Sequence, residues 1–195
     1  MKLILASQSP RRVELLKQIY PDFLIKPACG PEIIPENAAP WEVVQQLAKG
    51  KAEEIAAQYP QDLVIGADTV VAVEQQILGK PKNHEQCVEM LRLLSGRCHQ
   101  VYTGVALALD GKTETFYDVT QVEFYPLREE EIQWYASLDE PYDKAGGYGI
   151  QGKGSLLVKG IQGDYFNVMG FPVAATARKL LPYFPFSKIT AKKSE

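Results

Sequence analysis

Two hydroxyls and two guanidiniums fall within one short stretch near the N-terminus, Ser7-Gln8-Ser9-Pro10-Arg11-Arg12. A helix beginning at Pro10 would turn its unpaired backbone N–H groups and positive dipole end toward this stretch. Arginine adds a planar fork of donors that matches phosphate oxygens. The dipole contributes only about 0.3–1 kcal/mol, so the arginines would supply most of any anion affinity. An ordinary capped helix with its arginines in water is the other reading, although arginine is disfavoured in a positive first turn. Spacing alone leaves both open.

Asp68 is a second candidate because it interrupts an apolar run, Leu63-Val64-Ile65-Gly66-Ala67-Asp68-Thr69-Val70-Val71-Ala72-Val73. A carboxylate in such a strand is costly unless it is paired, metal-bound or close to solvent. That makes Asp68 a candidate general base or magnesium ligand, the alternative being a strand-end carboxylate that accepts local backbone bonds. Lys80 and Lys82, on either side of Pro81 and after Gly79, offer point charges for phosphates, or form a solvated basic loop. The glycine-rich Asp143-Lys144-Ala145-Gly146-Gly147-Tyr148-Gly149-Ile150-Gln151-Gly152 carries polar groups able to read a base, or is a plain turn region. Neither GxxxxGK[ST] nor GxGxxG occurs, and no Ser/His/Asp or Cys/His pattern suggests acyl transfer. His99, at the start of a strand, reads as structural.

These residues need a scaffold to position them. Lys2 to Ala6 reads as a buried strand and Pro10 to Ile19 as a helix, with Ser9 at the N-cap and Val13, Leu15, Leu16 and Ile19 facing the core. Pro27 to Pro40 is an ordered loop, and Trp41 to Tyr59, which carries Lys51, has helical periodicity. Asp62 to Val73 is a strand, Gly79 to Asn83 a loop and Glu85 to Leu94 an amphipathic helix ending at Ser95-Gly96. Val101 to Leu109 and Thr113 to Phe124 form a hairpin about Asp110-Gly111. Arg128 to Leu138 is a helix, and Asp139 to Gly154 holds only a short one. Ser155 to Ile161 and Tyr165 to Met169 are expected as another hairpin, and Pro172 to Leu181 as a closing helix. The pattern predicts an α/β fold with a mixed central sheet and flanking helices.

The chain has 195 residues, 46% hydrophobic and 23% charged, which suits one globular domain over 1–185 and a frayed basic tail over 186–195. Its net charge of −3 argues against nucleic acid or an anionic membrane as a partner, so an anionic ligand needs a local cation cluster. No stretch has the length of a signal peptide's apolar core or a membrane span. Three cysteines without CxxC spacing fit a reducing cytoplasm.

In order along the chain stand LASQSPRR at 5–12, LAKGKA at 47–52, GADTVV at 66–71, GKPKN at 79–83, LSGRCHQVYTGVAL at 94–107, EPYDKAGGYGIQGKG at 140–154 and GDYFNVMGFP at 163–172. Together they resemble the Maf family of nucleotide pyrophosphatases, over nearly the whole chain from Leu3 to Leu181. The resemblance implies an inosine-triphosphatase-like fold with two lobes around a cleft, a divalent metal (Mg2+ or Mn2+), a homodimer, and hydrolysis of a nucleoside triphosphate to monophosphate and pyrophosphate. The DKAGGYGIQG form is similar to the branch acting on dTTP and UTP. By matched position, Asp68 is implied as general base and metal-site residue, and Arg11, Thr69 and Gln151 as determinants of substrate choice. Ser7, Arg12, Lys51 and Lys80 are implied as triphosphate-holding residues. Glu32 falls where the family often has an acidic residue, with Glu36 the alternative because the Gly30–Glu36 stretch departs from the usual acidic cluster. Gln8 replaces the glycine of the usual SGSPRR. Some family members are associated with cell division and septum formation, which makes a non-catalytic nucleotide-sensing or nucleic-acid-binding regulator the rival reading.

Overall fold

The first apolar run folds as β1 (Leu3–Leu5), fully buried, in the computed structural model, which describes residues 1–34, 38–185 and 187. It leads into α1 (Pro10–Ile19), whose N-cap is Ser9: the Ser9 hydroxyl accepts from the Arg12 amide, and Leu15, Leu16 and Ile19 are buried. β2 (Phe23–Ile25) lies in register beside β1 and is not foreseen by pattern, because three residues are too few to show a period. α2 (Pro40–Ala56) and β3 (Leu63–Val73) follow, and β3 turns through Glu74 and Gln75, both at positive φ, into β4 (Gln76–Leu78). Next come α3 (His84–Leu94), β5 (Cys98–Leu109), β6 (Lys112–Phe124) and α4 (Glu129–Ala136). Asp110 and Gly111, at φ 49° and 72°, make the two-residue turn between β5 and β6. Three short 3₁₀ turns occupy Glu140–Leu157 before β7 (Val158–Gln162), α5 (Tyr165–Val168) and α6 (Val173–Leu180).

Among the described residues seven strands form one sheet in the order β2-β1-β3-β5-β6-β7, with β4 beside β3. β1 is parallel to β2 and β3, whereas β4 and β7 run antiparallel to β3 and β6. This is the mixed sheet with flanking helices that the sequence pattern predicts. The chain divides into two compact units: Met1–Asp68, Thr103–Asp118 and the chain from Gly170 form one, and Thr69–Tyr102 with Val119–Met169 the other.

In the first unit Ile4, Ala6, Ala48, Ala52, Ile55, Val64, Ala106 and Ala108 pack into one apolar cluster. The small alanine side chains keep α2 close to its strands. The core of the second unit includes Val71, Leu91, Leu94, Val101, Phe124, Ile132, Tyr135 and Leu157.

One expected element is corrected. Tyr165 to Met169 is a helical turn, not the second strand of a hairpin. The Asp164 carboxylate caps it by accepting from the Phe166 amide, and the buried Asn167 amide donates to the Val101 carbonyl and the Thr120 hydroxyl. A short apolar run has no periodicity to separate the two states, and these side-chain bonds decide it.

His99 is buried in the second core, its Nε2 lying 2.6 Å from the Tyr148 hydroxyl and its ring edge-on to Phe124 and Tyr148. Burial pulls the imidazole down to about 4, and Nδ1 has no partner among the described residues to share a second proton. The unfolded chain takes up that proton near pH 6.5 and the folded chain only near pH 4, so the unfolded state binds more protons in between. Stability from this group is complete above the upper value and falls by about 3 kcal/mol through that window as pH drops. Urea unfolding of wild type and His99→Phe should show a shallower pH slope for the variant, and equal slopes would contradict this assignment.

Candidate active site

Two glycines bring the first unit's functional side chains together. A Cβ at Gly66 on β3 would stand 2.2 Å from the Ala48 carbonyl oxygen, and one at Gly104 on β5 would stand 2.3 Å from that of Val44. Only a strand without side chains at these points lets α2 lie so close. Lys51, one turn along α2 from Ala48, then reaches Asp68 on β3, with Nζ 2.5 Å from Asp68 Oδ1 and 2.8 Å from Glu32 Oε1. The Lys51 and Asp68 side chains are only 19% and 14% exposed, against 56% for Glu32, so Asp68 is the shielded carboxylate of the pair. Glu54, three residues beyond Lys51, accepts from the Cys29 and Gly30 amides at 2.9 and 3.0 Å and so fixes the loop that carries Glu32. Those amides hold the Glu54 carboxyl below its usual range.

The start of α1 joins this group. The buried Ser7 accepts from the Ser9 amide through its hydroxyl, which shapes the bend before the helix. Arg12 donates from Nε to the Gly170 carbonyl and from Nη1 to the Ala67 carbonyl, each at 2.9 Å. Its second bond grips the residue immediately before Asp68. Burial lowers the Arg12 guanidinium from its ordinary value, while Asp68 and Glu32 favour its charge and Arg11 opposes it. Arg11, Arg12, Lys51, Asp68 and Glu32 are thus one electrostatic cluster, three cations to two anions. Arg11 is half-buried.

Among the described residues no three His, Cys, Asp or Glu side chains gather as a metal site of protein ligands alone would require. Asp68 and Glu32 nevertheless converge on a single cationic nitrogen, both within 3 Å of it. Two hard carboxylates aimed at one positive centre suit Mg2+ or Mn2+, which draws further oxygens from substrate phosphates and water. The donor set fits. Glu36, the alternative to Glu32, lies outside the described residues, as does nearly all of the 186–195 tail.

The remaining expected residues belong to the second unit. Thr69 is the half-buried residue after Asp68. Lys80 is exposed in the loop after β4, where the Gly79 carbonyl accepts from the Gly146 amide at 2.9 Å. That bond joins the Lys80 loop to the glycine-rich segment bearing Gln151, which is itself exposed. Gly146, at φ 70°, needs to be glycine: a Cβ there would press on Val71 at 3.0 Å.

A family profile described as "Maf-like protein" matches residues 2–182. The chain belongs to the Maf family. A dTTP/UTP pyrophosphatase of Bacillus cereus is 50% identical over 179 residues, 92% of this chain and 94% of the relative. One of Carboxydothermus hydrogenoformans is 53% identical over 183 residues, with 92% and 97% covered. A solved Ham1 protein of Staphylococcus aureus overlays 97% of the chain and 94% of its own at 18% identity, with a TM-score of 0.48. Among the described residues of this Maf chain, no helix is long and apolar enough to cross a membrane.

Sequence reasoning missed the residues that support the site. Glu54 reads as one more charge on a solvated helix face, and its contact with Cys29 and Gly30 joins segments that no local spacing links. Gly66 carries a signal, a glycine inside an apolar strand, which marks the close approach of another backbone.

Proposed function

We propose that this Maf protein hydrolyses dTTP and UTP to the nucleoside monophosphate and pyrophosphate. The observation that carries the reading is Asp68: a shielded carboxylate inside an apolar strand, held by Lys51 and within the field of Arg12. The half-identical relatives described as dTTP/UTP pyrophosphatases support the substrate.

In the reaction, water attacks the α-phosphorus, the bond from that phosphorus to the bridging oxygen breaks, and pyrophosphate leaves. Asp68 orients the water and takes its proton. Lys51 holds the carboxylate in place through Oδ1, and Arg11 with the α1 terminus neutralises charge on the phosphates. Arg12 keeps α1 and the strand before Asp68 in register while adding its own positive field. A divalent cation, held by Asp68 and Glu32, would supply Lewis-acid stabilisation of charge on the phosphoryl oxygens. No side chain need form a covalent intermediate, since phosphoryl transfer depends chiefly on positioning and electrostatics. Lys80 adds a point charge for the phosphates, and Thr69 and Gln151 contribute to base choice. A cytoplasmic homodimer is part of the same reading, and the net charge of −3 favours a small-molecule partner over nucleic acid.

The test is a panel of ribo- and deoxyribonucleoside triphosphates with Mg2+ and, separately, Mn2+, assayed for pyrophosphate. dTTP and UTP should be turned over fastest. Release from no nucleotide would defeat the enzymatic reading and leave a nucleotide-binding regulator. Gln151→Ala should reduce the dTTP-to-dGTP turnover ratio about tenfold, the effect of losing one good hydrogen bond to the base. An unchanged ratio would remove Gln151 from substrate choice.

A further inference from the structure

We propose that Tyr135 and Glu140 are positioning residues that clamp the 149–154 segment into the shape in which Gln151 reads the base. The inference rests on the assignment of Gln151 to substrate choice and extends it to two residues with no such role so far.

Four hydrogen bonds build the clamp. At one end of the segment the Gly149 amide donates to the Tyr135 hydroxyl at 3.2 Å, and that hydroxyl donates to Glu140 Oε1 at 3.0 Å. At the other end the Gly154 amide donates to Glu140 Oε1 and the Lys153 amide to Oε2, both at 3.0 Å. The buried phenol and one carboxylate therefore hold both feet of a loop whose exposed tip carries Gln151.

The feet themselves touch. A Cβ on Gly154 would stand 2.2 Å from the Gly149 carbonyl oxygen and 2.6 Å from the Tyr135 hydroxyl. Gly152, at φ 65°, brings its backbone against Glu140, where a Cβ would lie 2.8 Å from Oε2. Burial works against the Glu140 carboxylate, yet the Gly154 and Lys153 amides and the Tyr135 phenol hold it below its usual range. Tyr135 is shifted up, chiefly by burial, so its proton stays on to serve as the link. The exposed Gln151 side chain takes its direction from the backbone that bears it. A reading group on a loop with fixed ends loses little freedom on binding, whereas a loosened loop must be ordered each time.

Tyr135→Phe removes the link while keeping the ring in its core. Glu140→Gln keeps one acceptor oxygen and Glu140→Ala keeps none. With purified full-length enzyme, the ratio of kcat/KM for dTTP over dGTP should fall about tenfold in Tyr135→Phe, mostly through KM for dTTP, with kcat little changed. Glu140→Gln should fall between wild type and Glu140→Ala. Hydrogen exchange should speed up at the Gly149, Lys153 and Gly154 amides and stay unchanged in β5. If Glu140→Ala does not fold, Tyr135→Phe decides alone. Faster exchange at those amides with an unaltered substrate ratio would overturn the clamp, as would unaltered exchange. A wild-type enzyme without base preference, or an unchanged ratio in Gln151→Ala, would instead overturn the reading beneath it.

Discussion

Asp68→Asn should lower kcat for dTTP by about 10²–10⁴-fold, the range a positioned general base contributes, with KM little changed. Asparagine keeps the shape and an oxygen able to accept from Lys51, so the substitution removes the proton acceptor and leaves the scaffold. Lys51 retains Glu32 as a counter-charge at 2.8 Å, which limits the harm of leaving a half-buried ammonium without its closer partner. Thermal unfolding should confirm that the variant is folded, and nucleotide binding by calorimetry should persist. A folded Asp68→Asn enzyme with near-normal kcat would remove Asp68 from the chemistry. A large loss of nucleotide affinity with kcat intact would make Asp68 a binding residue.

Gly66→Ala should have the second-largest effect, on stability and activity together. The added methyl would meet the Ala48 carbonyl oxygen at 2.2 Å and the Ala52 amide nitrogen at 2.8 Å, both backbone atoms of α2 with no rotamer to relieve the contact. Overpacking costs about 1–3 kcal/mol and occasionally more, and a clash with backbone belongs at the upper end. Relief requires α2 to move off β3 and carry Lys51 with it. A displacement of about 1 Å at a catalytic group can reduce turnover about 10²-fold. Gly50→Ala on the same helix is the control: nothing lies within 4 Å of its Cβ position, so it should stabilise by about 0.5–1 kcal/mol through helix propensity. Chemical denaturation and kcat for the two variants check both expectations. A Gly66→Ala enzyme as stable and active as wild type would show that the close approach of α2 does not set the site.

Features governed by neighbours along the chain are legible in the residues themselves. Ser9 and Pro10 announce the α1 start, Asp110-Gly111 announces its hairpin, and Asp68 stands out because nothing else in its apolar run carries charge. What escapes such reading depends on contacts between distant segments. β2 and β4 are each three residues long and owe their strand character to β1 and β3. The turn at Tyr165 is decided by Asp164 and Asn167, and the partners of Asn167 are Val101 and Thr120. Arg12 illustrates the same limit at the site. Its position suggests a phosphate ligand, but two of its donors bond the Gly170 and Ala67 carbonyls, a placement that no pattern around SPRR encodes.

Where the oxygen of water ends up tests the central claim most directly. dTTP should be hydrolysed by wild-type enzyme in isotopically labelled water and the products followed by phosphorus NMR. Attack at the α-phosphorus, with Asp68 as base, places the label in the thymidine monophosphate and leaves the pyrophosphate unlabelled. Label in the pyrophosphate, or release of orthophosphate in its place, would contradict that chemistry.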